Sequence, residues 1–199
     1  ASEAPLSREV LCEPYLDQTP PPEVTGFSIV NEGTSVLYIQ RYWQCGGDAP
    51  SSPLLVQVQR GSTIINTLGG GCARSCQEAF EGSWNPLAGP GSASTDCPGI
   101  NCPAATTVAI QPGETLFQPA QREIVFQRMP SACTALAETD TVNCFSRVIP
   151  PPGDYTLRVL AFMTPDCDIT RSVCPPLVFD FPSEFPLDDQ TLAIGVTAD

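Results

Sequence analysis

The stretch IPPPGDYTLRVLAF, residues 149–162, decides the fold of this chain. Its three prolines and the glycine after them form a turn, because proline and glycine interrupt regular structure. The residues that follow place every second side chain on one face of a strand, namely Tyr155, Leu157, Val159, Ala161 and Met163. The stretch therefore predicts a strand over Tyr155–Met163 with one buried face.

Further strand candidates lie on the N-terminal side of this stretch, between turns rich in the chain's 22 prolines and 15 glycines. Val24–Val30 and Ser35–Trp43 are separated by the tight-turn sequence Asn31–Thr34, which predicts a hairpin. Thr107–Ile110 and Thr115–Gln118 flank a second turn, with the sequence QPGE. Both pairs have the length and composition of short strands.

Alternation of apolar residues also occurs around four other places, at 54–58, 123–127, 177–181 and 192–196. Helical patterning is nearly absent, since only Arg74–Glu81 could form a turn or two of helix. Eight or nine short strands separated by turns predict an all-β fold, an antiparallel β-sandwich.

The chain divides into a leader and one domain. Residues 1–23 form a polar, acidic leader that ends in a stiff, extended run of prolines, and its Cys12 predicts a disulfide to the body. Residues 24–199 form a single sandwich domain. Residues 61–105 contain four cysteines and are too long for an ordinary sandwich loop, so they are predicted to be an insertion held by local disulfides.

Four segments carry a family resemblance: FSIVNEGTSVLYIQ (27–40), LLVQVQRG (54–61), IQPGETLFQ (110–118) and IPPPGDYTLRVLAF (149–162). They resemble the strands of small bacterial immunoglobulin-like sandwiches, in particular the proteinase-inhibitor-type domain of secreted bacterial proteins and lipoproteins. In that group a PGE turn precedes a mid-domain strand and a PPGxY turn opens a later one. The resemblance covers about half of the chain and implies an immunoglobulin-like fold. The cysteines and the 61–105 insertion depart from the group, and no inhibitory loop can be carried over.

Ten cysteines predict five disulfides and therefore an oxidising compartment: secreted, periplasmic or at the cell surface. They are Cys12, Cys45, Cys72, Cys76, Cys97, Cys102, Cys133, Cys144, Cys167 and Cys174. A metal site is the alternative for the four cysteines of the insertion, but none of them has the CxxC spacing of zinc ribbons.

Sequence proximity suggests three disulfide pairs. Cys133–Cys144 and Cys167–Cys174 are expected as local bridges, and Cys12–Cys45 as the tie of the leader. A Cys133–Cys144 bridge would contribute about 3 kcal/mol by the loop-entropy relation. Cys72, Cys76, Cys97 and Cys102 are expected to pair among themselves, in an order that the sequence leaves open.

The composition excludes most catalytic chemistry. The chain contains no histidine, and all nine of its basic residues are arginine. It therefore has no Ser-His-Asp triad, no histidine-ligated metal and no lysine Schiff base. Carboxylate pairs are the remaining means of catalysis, but no aspartic-protease Asp-Thr-Gly or Asp-Ser-Gly sequence occurs. The expectation is a protein that is not an enzyme.

A formal charge of −13 opposes binding to nucleic acid and to anionic membranes, and it favours a basic partner or Ca²⁺. Asp166 and Asp168 are the calcium candidates, with solvated turn acids as the alternative. No apolar run approaches the length of a membrane span. We expect the mature product of an exported protein, from which a signal segment has been removed, with a lipid anchor upstream as a further possibility.

Trp84 and Asn85 form the candidate binding site, because an aromatic residue within a loop of small polar residues is typical of a binding anchor. The alternative is that Trp84 fills a small core within the insertion itself.

These observations favour a non-catalytic, exported immunoglobulin-like module for binding, adhesion or assembly, whose partner is a protein or a surface polymer. A protease-inhibitor-like module is the first alternative and would need a long exposed loop that fits a protease cleft. A carboxylate-based hydrolase is the second and would need two acids about 5–10 Å apart in a pocket.

Overall fold

The computed structural model of the chain describes residues 7–19, 26–41, 54–65, 75–83, 106–119, 122–135, 141–165, 167, 174–185 and 189–197. This part is mostly β-structure, with two short α-helices and two 3₁₀ turns, at Glu13–Tyr15 and Ser131–Cys133. The helices are α1 (Arg8–Cys12) and α2 (Cys76–Glu81). The strands are β1 (Gly26–Asn31), β2 (Leu37–Arg41), β3 (Gln57–Arg60), β4 (Thr63–Ile64), β5 (Thr106–Ile110), β6 (Thr115–Pro119), β7 (Glu123–Pro130), β8 (Thr141–Val148), β9 (Gly153–Phe162), β10 (Leu177–Phe185) and β11 (Gln190–Ile194). None of the helices described is long and apolar enough to cross a membrane.

Three strands form a small sheet with β1 in its centre. β1 pairs antiparallel with β6 on one side and parallel with β11 on the other. The side chains that alternate along β1 divide accordingly. Phe27 and Ile29 are buried, whereas Ser28 and Val30 lie on the outer face.

A larger sheet forms around β9, the strand that the opening stretch predicts. β10 pairs with β9 along almost its full length. Because one side of β9 is occupied in this way, β2 and β3 lie end to end along its other side. β5 then pairs with β2, and β4 pairs with β3.

The predicted hairpin between the first two strands is wrong, because β1 and β2 belong to different sheets. The buried side chain of Asn31 holds the chain at the crossing. Its amide nitrogen donates to the carbonyl oxygens of Ser35 and Ile110, at 2.9 and 3.0 Å, and its Oδ1 accepts from the Gly33 N–H at 3.0 Å. β5 belongs to the larger sheet and β6 to the smaller one, so the QPGE turn also connects the two sheets and does not close a hairpin.

The two sheets share one apolar core. Its members include Phe27 and Ile29 from β1, Leu157 and Val159 from β9, and Leu192 from β11. Of the face predicted for β9, Tyr155, Leu157, Val159 and Ala161 are buried, but Met163 lies beyond the end of the strand and is 46% exposed.

A second, smaller cluster lies between the two helices and the hairpin formed by β7 and β8. β8 is not among the strands predicted from the sequence. The turn or two of helix predicted at Arg74–Glu81 is confirmed by α2. Ser75 and Glu78 begin α2 with a reciprocal capping box, and Gly82 ends it with a left-handed φ of 76°.

Three disulfides join described residues: Cys12–Cys133, Cys76–Cys144 and Cys167–Cys174. The prediction of Cys167–Cys174 is confirmed, because those two cysteines are seven residues apart and close a short loop. The other predicted pairs are wrong. Cys12 bonds to Cys133 rather than to Cys45, and Cys144 bonds to Cys76 rather than to Cys133.

Proximity in sequence failed because packing decides these pairs. Cys12 and Cys76 project from helices that pack against the β7–β8 hairpin, on which Cys144 lies, and next to the 3₁₀ turn that contains Cys133. The expectation that Cys76 pairs within the insertion is therefore wrong as well. The remaining cysteines, Cys45, Cys72, Cys97 and Cys102, lie outside the described residues.

Candidate binding surface

The two helices and the β7–β8 hairpin form a unit that we call the stapled end, made of residues 7–19, 75–83, 122–135 and 141–149. Cys12 of α1 is bonded to Cys133, and Cys76 of α2 is bonded to Cys144. All four cysteines are buried, and they make up more than half of the small apolar cluster. Covalent bonds therefore contribute a large share of the cohesion of this unit.

Arg8 links α1 to α2. Its Nη2 donates to the carbonyl oxygens of Phe80, at 2.8 Å, and of Cys133, at 3.0 Å. The guanidinium group also lies 4.4 Å from the centre of the Phe80 ring, a cation–π arrangement. One arginine thus joins α1, α2 and the 3₁₀ turn after β7.

The end of α2 is held against the same 3₁₀ turn. The Ala135 N–H donates to the carbonyl oxygen of Ala79 at 2.9 Å, and the Thr134 hydroxyl donates to the same oxygen at 3.1 Å. Carbonyl groups in the last turn of a helix lack intrahelical partners, so these bonds satisfy one of them from outside. The C-terminal end of α2, just before the last described residue of this segment, Ser83, is therefore anchored to the 3₁₀ turn.

The leader runs along β8 rather than trailing free. The Gln18 N–H donates to the Arg147 carbonyl oxygen at 2.9 Å, and the Arg147 N–H donates to Asp17 Oδ1 at 2.8 Å. The Arg147 side chain completes an ion pair with Asp17 at 2.9 Å. Within the leader Arg8–Cys12 is α-helical, and the Ser7 hydroxyl caps this helix by accepting from the Val10 N–H. The proline run that is predicted to be extended lies outside the described residues.

The two faces of the β7–β8 hairpin have different environments. The inner face packs on the disulfides and includes Met129, Val142 and Cys144. On the outer face the exposed residues are Phe126, Arg128, Thr141 and Asn143, which we call the hairpin face. The strand register places Asn143 opposite Arg128 and Thr141 opposite Pro130.

Phe126 is the aromatic centre of the hairpin face and is 40% exposed. It lies directly across the ladder from the buried Phe145, with ring centres 6.2 Å apart and an edge-to-face angle of 63°. The Arg147 guanidinium lies 5.2 Å from the centre of the Phe145 ring and is itself held by Asp17. The exposed ring thus rests on a fixed base, as a binding anchor requires.

An ion pair on the surface joins β9 to β10. Arg158 of β9 and Asp180 of β10 are direct neighbours in the ladder and form a bidentate pair at 2.6 and 2.7 Å. The hydrogen bond from Arg158 lowers the pKa of Asp180, so this carboxylate stays ionised. A general acid needs a raised pKa instead, so Asp180 does not suit that role. Among the residues described, no cluster of three or more Cys, Asp and Glu side chains could hold a metal ion.

Comparison with known proteins gives no relative: no protein-family model, no curated protein and no solved structure matches this chain. The predicted sites Trp84, Asn85, Asp166 and Asp168 all lie outside the described residues. Those residues therefore stay predictions.

The hairpin face was not predicted from the sequence. The alternation at 123–127 predicts that Ile124 and Phe126 share one face of a strand, but of these two residues only Ile124 is buried. The signal that could have revealed it is the pattern Phe126-Gln127-Arg128, in which an aromatic residue and a cation are two residues apart in a strand and so share a face. Recognising this face from the sequence would require knowing that β7 pairs with β8 and that the leader and α2 cover the other face of the hairpin.

Proposed function

We propose that this protein is a non-catalytic, exported immunoglobulin-like module that binds a protein or a surface polymer through the hairpin face. The observation that carries the proposal is the exposed Phe126 ring, held on a hairpin whose opposite face is crosslinked by two disulfides. Rigidity before binding lowers the entropy lost on association, which favours such a surface as an anchor.

Export is supported by the cysteines. Six described cysteines all form disulfides, which indicates an oxidising environment. A binding site of this kind also benefits from an environment in which the bonds persist, because reduction would release the leader and α2 from the hairpin.

The immunoglobulin-like assignment is supported by two local features. The chain crosses between the same two sheets at β1–β2 and at β5–β6, as a two-layer sandwich requires. In addition, the Tyr155 hydroxyl at the start of β9 donates to the Pro151 carbonyl oxygen at 2.6 Å. A tyrosine bonded to the backbone a few residues upstream is the tyrosine corner of immunoglobulin-like sandwiches. An experimental structure with one continuous core between two sheets would test this part of the proposal.

A photo-crosslinking experiment tests the binding surface. We would replace Phe126 with the photoreactive residue benzoylphenylalanine and, as the control, make the same replacement at Val178, which is 51% exposed on β10. Each labelled protein is illuminated on the envelope of the organism that produces it. We expect a discrete crosslinked species from position 126 and none from position 178.

The matching loss-of-function variants are Phe126→Ser and Val178→Ser. Both residues are already well exposed, so neither change should disturb folding. Retention of surface attachment by Phe126→Ser, or equal crosslinking from both positions, contradicts the proposal. A crosslinked protease whose activity falls on binding would favour the inhibitor alternative instead.

A further inference from the structure

The strand β11 has an open edge in the part of the chain that the structure describes. It pairs with β1 in parallel register, and the carbonyl oxygen of Ile194 accepts from the Glu32 N–H at 2.7 Å on the β1 side. Because main-chain groups alternate in direction along a strand, those of Thr191 and Ala193 point away from β1. Both residues are exposed, and no other described strand pairs with β11 on that side.

The other sheet has an edge that is protected against strand addition. β10 is the outermost strand beside β9, and its exposed positions include Asp180, Pro182 and Glu184. Charges and proline on an edge strand are the features by which proteins prevent unwanted pairing. β11, with the sequence QTLAI, has neither a charge nor a proline.

The outer face of the small sheet is also uncharged around β11. Thr191 and Ala193 lie beside Ser28 and Val30 of β1, and Phe117 of β6 lies beyond Ser28 with 57% of its surface exposed. In a chain with a net charge of −13, this is a neutral surface next to an unpaired edge.

We propose that β11 binds an extended segment of a partner protein as an additional strand, with main-chain hydrogen bonds to Thr191 and Ala193. The inference rests on the proposed binding role but uses a different surface from the hairpin face. Charge decides the occupant: a second copy would bring another −13, whereas an uncharged or cationic strand is not repelled. Asp189, which precedes β11 and is exposed, adds a negative charge that favours a cationic strand.

The test uses a synthetic peptide that alternates threonine and valine between two terminal lysines, with hydrogen exchange as the measurement. In the free protein we expect the Thr191 and Ala193 amides to exchange fast and the Leu192 and Ile194 amides to be protected by β1. At millimolar concentrations the peptide should protect Thr191 and Ala193. About four main-chain hydrogen bonds correspond to a dissociation constant on the order of 1 mM.

Two variants block the edge in different ways. Ala193→Pro removes an N–H that the native ladder does not use, and Ala193→Asp adds a negative charge but keeps the N–H. Each should weaken peptide binding about tenfold. The matched control, Val178→Asp, adds the same charge on the protected edge and should change binding less than about twofold, since salt screens distant charges. Circular dichroism checks that each variant is folded. If Ala193→Pro does not fold, the effect of Ala193→Asp on peptide binding tests the proposal.

Four results would overturn the proposal. Protection of Thr191 and Ala193 in the free protein means that another part of the chain covers the edge. Protection that rises with protein concentration identifies a second copy as the occupant. A peptide that protects nothing at millimolar concentration, or one that Ala193→Asp and Val178→Asp weaken equally, shows that β11 does not accept strands. Failure here leaves the Phe126 crosslinking result unaffected, so the two proposals are separable.

Discussion

Removal of the Cys12–Cys133 disulfide should destabilise the protein more than removal of Cys167–Cys174. The bonded cysteines are 121 residues apart in the first case and 7 in the second. The loop-entropy relation gives about 5 kcal/mol for the long loop and about 2 kcal/mol for the short one. Cys76–Cys144 stays intact and shortens the path around the long loop, so we expect about 4–5 kcal/mol.

Two double variants allow the comparison, Cys12→Ala with Cys133→Ala and Cys167→Ala with Cys174→Ala. Alanine suits the first pair because both positions lie in an apolar cluster. Urea unfolding without reductant, followed by far-UV circular dichroism, measures the free energy of unfolding. For a chain of this size the expected losses correspond to shifts of about 8–20 °C and about 4–8 °C in Tm. The reasoning is refuted if the short-loop variant loses as much as the long-loop variant, or if the long-loop variant loses under about 2 kcal/mol.

Three single variants test the fold more locally. Asn31→Ala removes the three hydrogen bonds of a buried side chain and should cost about 3 kcal/mol in urea unfolding, and a loss under about 1 kcal/mol would show that Asn31 does not hold the sheet crossing. Tyr155→Phe removes the bond to Pro151 and should cost about 1 kcal/mol, which thermal unfolding can detect, whereas an unchanged Tm would contradict it. Asp180→Asn should cost at most about 1 kcal/mol at neutral pH, because the pair with Arg158 is exposed. Since that pair lowers the pKa of Asp180, its contribution is present above the pKa of the unfolded carboxyl and is lost as the pH falls through the lower folded pKa, so the stabilities of the two proteins should converge in acid.

The sequence predicted those elements in which a local pattern alone decides the structure. β9, β10 and β11 follow from alternation, because one face of each strand contacts the core. The helix α2 follows from the Ser75–Glu78 capping pattern and from Gly82. In each case the residues that determine the conformation lie within a few positions of one another.

The sheet crossing at Asn31 could not be predicted in this way. A turn sequence indicates that the chain changes direction, but it does not indicate which strand the chain meets next. That choice depends on a bond from Asn31 to Ile110, which is 79 residues away. A polar residue at the end of a strand is common at turns, so the sequence does not indicate that Asn31 is buried. Its burial follows from the position of β5 beside it.

The exposure of the hairpin face depends on contacts between residues that are even farther apart in sequence. Phe126 is exposed because Gln127, Met129 and the other inner residues of β7 face the leader and α2. The leader is held at that face by hydrogen bonds and by Cys12, whose partner Cys133 is 121 residues away in sequence. The candidate surface therefore follows from disulfide pairing, which the spacing of ten cysteines leaves undetermined.

The described cysteines are unevenly distributed between the main core and the stapled end. The main core, as far as the structure describes it, contains fifteen buried residues and no cysteine, so none of the described disulfides contributes to it. The small cluster of the stapled end has seven buried residues, and four of them are cysteines. So few apolar groups do not offset the conformational entropy that is lost when the leader, α2 and the β7–β8 hairpin become ordered. The two disulfides of the stapled end provide the stabilisation that apolar packing does not. Because these crosslinks lie outside the main core and next to the hairpin face, they are the physical basis of our proposal that this face binds a partner.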